Sequence, residues 1–448
     1  MLEGPILVVI LLVAIAFIIF ATAKLKLNAF LALLIAAYGI GLAVRMPLPT
    51  IAITINQGFG GLMTGIGLVI VLGTIVGVFI EKSGAALRMA EVVLRIVGEK
   101  RPALAMSIIG YITSIPVFCD SGFVILSSLG RALAKKAKIS GVAVAIALST
   151  GLYATHVMVP PTPGPLAGAA NMGVTNLGLV ILIGLVAAFP PTVAGYLYAM
   201  RFKNTPLSDT RETETYEQLR AKFTALPSAL KSFAPLIAPI LLIALSSIAN
   251  FPTLPFGEGN TKLFLNFVGT PVTALFIGVG LCMLLVRKLN EDVLSGWVSH
   301  ALKDAAIILI ITGAGGSLGR MLSATPIVAY LGEMLAQYQM GIFLPFIISA
   351  AIKTAQGSST VAIVTTSALI NPLAPALGFD AEMARILVVM AIGAGSMVVS
   401  HANDSYFWVV TQFSGMDVPL GLKTQTIATL IQGLVAIAWI AILFAVLV

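Results

Sequence analysis

The chain has 448 residues, 58% hydrophobic and only 10% charged, with a mean hydropathy of +1.04. A soluble domain carries about 25% charged residues, so this composition excludes a soluble enzyme or regulator and describes an integral membrane protein of helical spans. The net charge of +8 does not mark a nucleic-acid binder, because the basic residues gather at the ends of apolar runs, where they set topology.

In chain order, Pro5–Ala23 reads as a retained first span, because no cleavage-site pattern follows it. Lys24 and Lys26 are then cytoplasmic, which puts the N-terminus outside. Leu27–Val44 returns outward, Arg45–Gly61 is a Pro- and Gly-containing connection, and Leu62–Ile80 goes back in to Glu81-Lys82. Over Ser83–Gly98, Leu87, Ala90, Val93, Leu94 and Val97 share one face and Arg88, Glu91 and Arg95 the other. That spacing predicts an amphipathic helix at the cytoplasmic interface.

Ala103–Phe118 and Gly122–Ala134 are each shorter than the roughly twenty residues of a full span. Basic residues flank both outer ends: Lys100 and Arg101 before, Arg131, Lys135, Lys136 and Lys138 after. The pair therefore reads as a re-entrant hairpin with its tip at Ile115–Gly122; a helical hairpin that crosses fully is the alternative. Ile139–Val159 rises to Pro160-Pro161-Thr162-Pro163-Gly164-Pro165, where the helix must break. Inside a bilayer such a break survives only where it lines a protein-enclosed polar cavity. Leu177–Met200 returns inward, and Arg201–Lys231 is a cytoplasmic linker with a helix around Glu212–Lys222. Phe233–Ala249 goes out, Phe251–Lys262 is an outside loop, Leu263–Val286 comes back, and Glu291–Lys303 is a second cytoplasmic amphipathic segment. The cysteines Cys119 and Cys282 lie in apolar runs and offer no disulfide framework.

A shift of 240 residues sets Gly73–Gly77 on Gly313–Ser317 and Ile115–Leu129 on Ala355–Leu369, and a shift of 245 sets Thr155-His156 on Ser400-His401. The second unit then comprises a span at Ala305–Gly319, an interfacial segment at Pro326–Tyr338, arms at Ile342–Lys353 and Val361–Ile370, and a helix at Ala384–Val399 broken at Ser400–Ser405. Counting crossings, its hairpin opens to the opposite side. The expected fold is all-α, with two inverted-topology repeats, each carrying a re-entrant hairpin and a broken transmembrane helix, divided into scaffold and transport domains. The expected boundaries are scaffold helices at 1–61 and repeat 1 at 62–200, with hairpin 103–137 and broken helix 139–173. A linker at 201–232 and scaffold helices at 233–303 follow, then repeat 2 at 304–425, with hairpin 341–376 and broken helix 382–414, and a C-terminal helix at 426–448. Both termini are expected on the outer side.

Four polar breaks at corresponding places should meet near the midplane. At the first tip, Asp120 can titrate as a proton carrier, coordinate a cation or bond a helix end, while the amides of Ser121 and Gly122 can receive an anion. At the proline-rich break, His156 is a ligand or proton relay or a satisfied structural donor, and Thr162 and Gly164 offer a hydroxyl and open backbone. At the second tip, Gln356, Gly357, Ser358, Ser359 and Thr360 suit a carboxylate and several hydroxyls, or pack between helices. Lys353, one turn earlier, pairs with substrate or snorkels. At the fourth, His401, Asn403 and Asp404 cluster within a few residues, and His401 and Asp404 join Asp120 and His156 as proton-coupling candidates. Phosphate loops, metal-ligand spacings and nucleophile motifs are absent, so neither cofactor nor enzymatic activity is expected. Gly313–Gly319 reads as a close-packing helix face rather than a dinucleotide loop.

Ile115–Gly122, Val159–Pro165, Ile311–Gly316, Gln356–Ala362 and Ser400–Trp408 together resemble the gluconate permease family, within a wider ion-transporter superfamily. The resemblance covers nearly the whole chain. It implies a bacterial inner-membrane proton symporter for gluconate or a related hydroxy acid, a homodimer in the lipid bilayer, and an elevator-type motion of the hairpin-bearing domain. Members commonly have Glu at the first tip, where this chain has Cys119-Asp120-Ser121, so glycerate, another sugar acid or a deoxy-keto sugar acid remains open as substrate. The expected function is proton-coupled symport of a small hydroxylated monocarboxylate. A sodium-coupled carboxylate or D-serine transporter and a passive channel are the alternatives.

Overall fold

The computed structural model describes residues 2, 4–98, 100–206, 216–221, 223, 225–250, 256–327, 330, 341–401 and 404–448, with the backbone alone at 23, 66, 216, 219, 247 and 356. All regular structure among them is helical. The first half contains α1 (Ile6–Ala23), α2 (Ala29–Ala43), α3 (Leu48–Lys82), α4 (Ala85–Val97), α5 (Pro102–Thr113), α6 (Cys119–Lys136), α7 (Gly141–Met158), α8 (Pro163–Asn171) and α9 (Leu177–Ala199). After α10 (Tyr216–Ala221) come α11 (Ala229–Ala249), α12 (Asn260–Gly269), α13 (Pro271–Cys282) and α14 (Val298–Ser323). The second half closes with α15 (Phe343–Gln356), α16 (Ser359–Ile370), α17 (Glu382–Ser396), α18 (Ser405–Ser414) and α19 (Ile427–Leu447). Among the described residues, five helices are long and apolar enough to cross a membrane, or seven if each bent pair is one span.

The helices start where short polar side chains stand before apolar runs. Asn28 accepts from the Phe30 N–H, Ser140 from Val142 and Asn176 from Leu179. The predicted amphipathic helix is α4, with Leu87, Ala90 and Val93 buried and Arg88 bonded to Glu91 at 2.8 Å on its other side.

Three segments differ from the sequence reading. Arg45–Gly61 is not a connection, because helix begins at Leu48 and continues as α3 to Lys82, bent by 49° between Gly65 and Gly67. In apolar surroundings the backbone must satisfy its own hydrogen bonds, so glycines that would end a helix in water do not end this one. Glu291–Lys303 is not a separate amphipathic segment: it opens a continuous helix, Asp292–Ser323, whose first turns are π-wound. Leu263–Val286 is two helices, α12 and α13, bent by 68° at Thr270, because Pro271 cannot continue the preceding turn. The 61/62 and 303/304 divisions therefore fall inside helices. Most of the interfacial segment Pro326–Tyr338, and part of the linker helix and of the outside loop, lie outside the described residues.

Packing relations recur between the halves. α5 and α6 form a hairpin against α7, which packs on α9; α15 and α16 form a hairpin against α17, which packs on α19. In each half the first arm lies backbone to backbone on the following helix: a Cβ on Gly151 would collide with the Ser107 carbonyl, and one on Gly395 with that of Phe346. The halves also exchange contacts, α6 packing on α18 and α16 on α8. Every residue of the most apolar window of Gly141–Asn171 is buried, which puts α7 and α8 at the centre.

A second core forms where α1, α2, the start of α3 and the end of α14 enclose Leu33, Ile40, Ile51, Leu318 and Met321. Gly313–Gly319 packs closely, as its composition predicts. Gly313 faces Phe59, a Cβ on Gly316 would lie 2.6 Å from the Gly58 carbonyl, and Ser317 donates to the Ile55 carbonyl at 2.9 Å. On the other flank, Gly315 meets Val364 and Gly319 meets the Ala368 carbonyl, so α14 touches α3 and the second hairpin through glycine on both sides.

Candidate functional site

The first tip is a five-residue turn between α5 and α6, closed by the Ser114 hydroxyl donating to the Val117 carbonyl at 2.9 Å. Asp120 stands in the first turn of α6, where free amides and the helix dipole favour a carboxylate. Its Oδ2 accepts from Cys119 Sγ at 3.7 Å, while its Oδ1 is buried with no hydrogen-bond partner among the described residues. Ser121 pairs with the Glu81 side chain, and Gly122 packs against Leu152.

His156 ends α7, 5% exposed, with its ring centroid 5.9 Å from that of Phe118 and its Nδ1 unpartnered among the described residues. Val159–Thr162 interrupts the helix, and α7 and α8 continue as one span of 31 residues. Thr162 donates its hydroxyl proton to the Val159 carbonyl at 2.6 Å, closing the break from within. Gly164 faces the second hairpin: a Cβ there would lie 2.9 Å from Ile363 Cδ1 and 3.9 Å from Thr360 Oγ1.

At the second tip, α15 ends at Gln356, whose side chain lies outside the described residues, and Gly357 turns the chain with φ +96°, a conformation that favours glycine. Ser358 caps α16 by accepting from the Val361 N–H at 3.3 Å; Ser359 is buried and Thr360 partly so. Lys353, fully buried, donates to the Gly357 carbonyl and to Asp404 Oδ2, the latter at 2.6 Å.

That ion pair joins the second tip to the fourth break. Asp404 caps α18, accepting from the Tyr406 N–H at 3.1 Å, and its Oδ2 also accepts from the Ser400 hydroxyl at 2.6 Å. Three donors therefore hold this carboxylate. His401 Nε2 lies 2.9 Å from the Thr354 carbonyl, on the outer side of the tip. Asn403 lies outside the described residues.

The structure thus gathers Asp120, His156, Thr360, Gly164, Lys353 and Asp404 into one region. The charges of Lys353 and Asp404 act on both Asp120 and His156. Aromatic rings fill the space between: Tyr153 lies 5.2 Å from Tyr406, which lies 6.3 Å from Phe123, and Lys353 Nζ lies 5.9 Å from the Tyr153 ring. The Tyr153 hydroxyl donates to the Ser396 carbonyl and that of Tyr406 to Ser149. Sequence reasoning missed the role of Lys353, which neither snorkels nor stands free, and passed over Tyr153, Tyr406 and Glu81. The available signal for Lys353 was a lysine inside an apolar arm, a position that demands a buried partner.

Comparison with known proteins agrees with the motif-based resemblance. The model of the GntP family permeases matches residues 6–447. A gluconate permease of Pseudomonas aeruginosa is 31% identical over 444 residues, covering 97% of each chain. A low-affinity gluconate transporter of Escherichia coli K12 is 32% identical over 426 residues, covering 93% of each. An uncharacterized permease of Haemophilus influenzae is 35% identical over 427 residues, 92% of this chain and 87% of that one. Among solved structures, the YdaH transporter of Alcanivorax borkumensis superposes with a TM-score of 0.60 at 16% identity, covering 86% of this chain and 87% of the other; at that identity the likeness concerns the fold alone.

Proposed function

The chain belongs to the GntP family of permeases, and from that premise we propose that it imports a small hydroxylated monocarboxylate, gluconate or a related sugar acid or glycerate, together with a proton. The observation that carries the coupling assignment is the buried Asp120 Oδ1, which has no partner among the described residues. Of the four proton-coupling candidates, Asp404 is occupied by Lys353, Ser400 and the Tyr406 amide, and His401 sits against Thr354. Asp120 retains an open oxygen, and protonation removes the cost of holding its charge in a dry site. His156, with its own open nitrogen, stands near enough to share the pocket.

The substrate carboxylate suits the first turns of α6 and α16, where the amides of Ser121, Ser359 and Thr360 have no partner within their helices; that of Gly122, contrary to the sequence reading, is taken by the Phe118 carbonyl at 2.8 Å. Hydroxyls of the substrate suit Ser359, Thr360 and the backbone at Gly164. We read the two halves as inverted repeats, a reading supported by the recurring hairpin-on-helix contacts and the exchanged pairings of α6 with α18 and α16 with α8. An elevator-type motion of the hairpins and broken helices against the α3–α14 frame is supported by the glycine contacts of α14 with α16, which leave few interdigitated side chains to resist sliding. The functional unit is a homodimer in the inner membrane, with both termini in the periplasm.

Uptake of radiolabelled gluconate, glycerate and D-serine into proteoliposomes tests this reading. The expected result is accumulation driven by an inward proton gradient in sodium-free buffer, and none in Asp120→Asn. Accumulation that requires sodium favours the sodium-coupled reading. Uptake that never exceeds equilibrium means a channel.

A further inference from the structure

A second polar cavity, of about 490 Å³, opens at the far end of the α16 arm from the second tip. Gln57 of α3 and Arg320 and Ser323 of α14 line one wall; Asn171 at the end of α8 and Asn371 just beyond α16 line the other. Where α3 and α14 meet in this wall, Gly58 and Gly316 lie in direct contact, and one turn on, Gly61, where a Cβ would meet nothing within 4 Å, borders the open space. Arg320 is the one charged residue among the described lining residues. It is exposed, and no hydrogen bond or ion pair holds it among the described residues. Asn171 commits its amide hydrogens to the Val364 carbonyl at 3.1 Å and Ser367 Oγ at 2.8 Å, which leaves its carbonyl oxygen as an acceptor for whatever occupies the cavity it lines.

From this arrangement we propose that the cavity is a capture site for the carboxylate substrate, separate from the hairpin tips, with Arg320 as its anion-binding group. The inference rests on the transport reading above. A guanidinium presents a planar fork of donors that matches a carboxylate, and the surrounding amides and hydroxyl match the polyol part of a sugar acid. A cavity of this size falls in the range of small-molecule sites. The arm between it and the tip has 12 residues, a length of about 18 Å, so an anion held by Arg320 does not touch Asp120 or the tip amides. The site lies where the hairpin and α8 face α3 and α14, on the face where α3 starts and α14 ends, so it loads the carrier from one side only.

Proteoliposome uptake of radiolabelled gluconate by wild type, Arg320→Gln and Arg320→Lys tests the site, with KM and maximal rate measured separately at low and high salt. Arg320→Gln is expected to raise KM about tenfold or more with a maximal rate near wild type, and to remove most of its salt dependence, since the lost interaction is a charge-assisted bond at an open site. Arg320→Lys should recover a large part of the affinity and the salt dependence. Wild-type uptake with an unchanged KM in Arg320→Gln overturns the capture site alone, as does a loss confined to the maximal rate. Wild-type protein that takes up no hydroxy acid overturns the transport reading, and the capture site with it.

Discussion

Replacing either member of the Lys353–Asp404 pair gives the sharpest test of how the two breaks of the second half are joined. Lys353 is 0% and Asp404 6% exposed at the side chain, with 2.6 Å between the charged atoms. Leaving one charge buried without its partner costs about 3–5 kcal/mol, two to three and a half orders of magnitude in the unfolding equilibrium. The two single substitutions should differ. After Lys353→Met, Asp404 retains the Ser400 hydroxyl and the Tyr406 N–H, each worth about 1.5–3 kcal/mol to a charged acceptor. After Asp404→Asn, the ammonium retains the Gly357 carbonyl and the face of Tyr153 but loses the carboxylate bonded to it, so this change costs more. The double variant removes both charges and should cost less than the sum of the singles by about 2 kcal/mol or more. Equilibrium unfolding of the purified protein in mixed SDS micelles, followed by tryptophan fluorescence, measures all three. Single variants within about 1 kcal/mol of wild type, or costs that add, would refute the claim that this pair ties the second tip to α18.

Three further outcomes follow from the same geometry. Asp120→Asn should abolish proton-driven accumulation while preserving exchange of labelled for unlabelled substrate; accumulation at wild-type level would remove Asp120 from the coupling step. Gly315→Leu places a side chain where a Cβ alone would sit 2.7 Å from Val364 Cγ1, and should slow transport about tenfold or more. An unaltered rate would mean that α14 and α16 do not slide past one another. His156→Phe should leave thermal stability equal or higher, because the buried Nδ1 has no bond to lose among the described residues, yet reduce uptake. Wild-type uptake in that variant would exclude His156 from the pocket.

Much of the fold was legible in the sequence because bilayer physics leaves few choices. Short apolar arms with basic outer ends, such as those on either side of Ile115–Gly122, mark a hairpin by length alone, and polar residues inside apolar runs mark places that must be enclosed by protein. The misread stretches have two causes. Gly58, Gly60 and Gly61 look like a loop on propensities measured in water, but a backbone surrounded by apolar groups stays helical for want of other partners. Conversely, Pro271 lies inside a run long enough to span and still turns it by 68°. The candidate residues were legible by type and not by role. Thr162 closes its own break, Ser358 caps its own helix, and Asp404 serves a lysine fifty-one positions earlier, a pairing that no local pattern encodes.

On the proposed mechanism the Lys353–Asp404 pair adds no net charge to either journey of the carrier. Its two charges cancel within the mobile body, so on the proposed mechanism the charge that crosses is that of Asp120 and the substrate. Loaded, with Asp120 protonated and one carboxylate bound, the body carries one negative charge; empty, with Asp120 ionised, it carries the same. The inward and outward journeys therefore move equal charge in opposite directions. The membrane potential, about 2.3 kcal/mol per charge per 100 mV, does no net work over the cycle. The carrier then runs on acidity alone, and each unit of pH difference supports about tenfold accumulation of the acid.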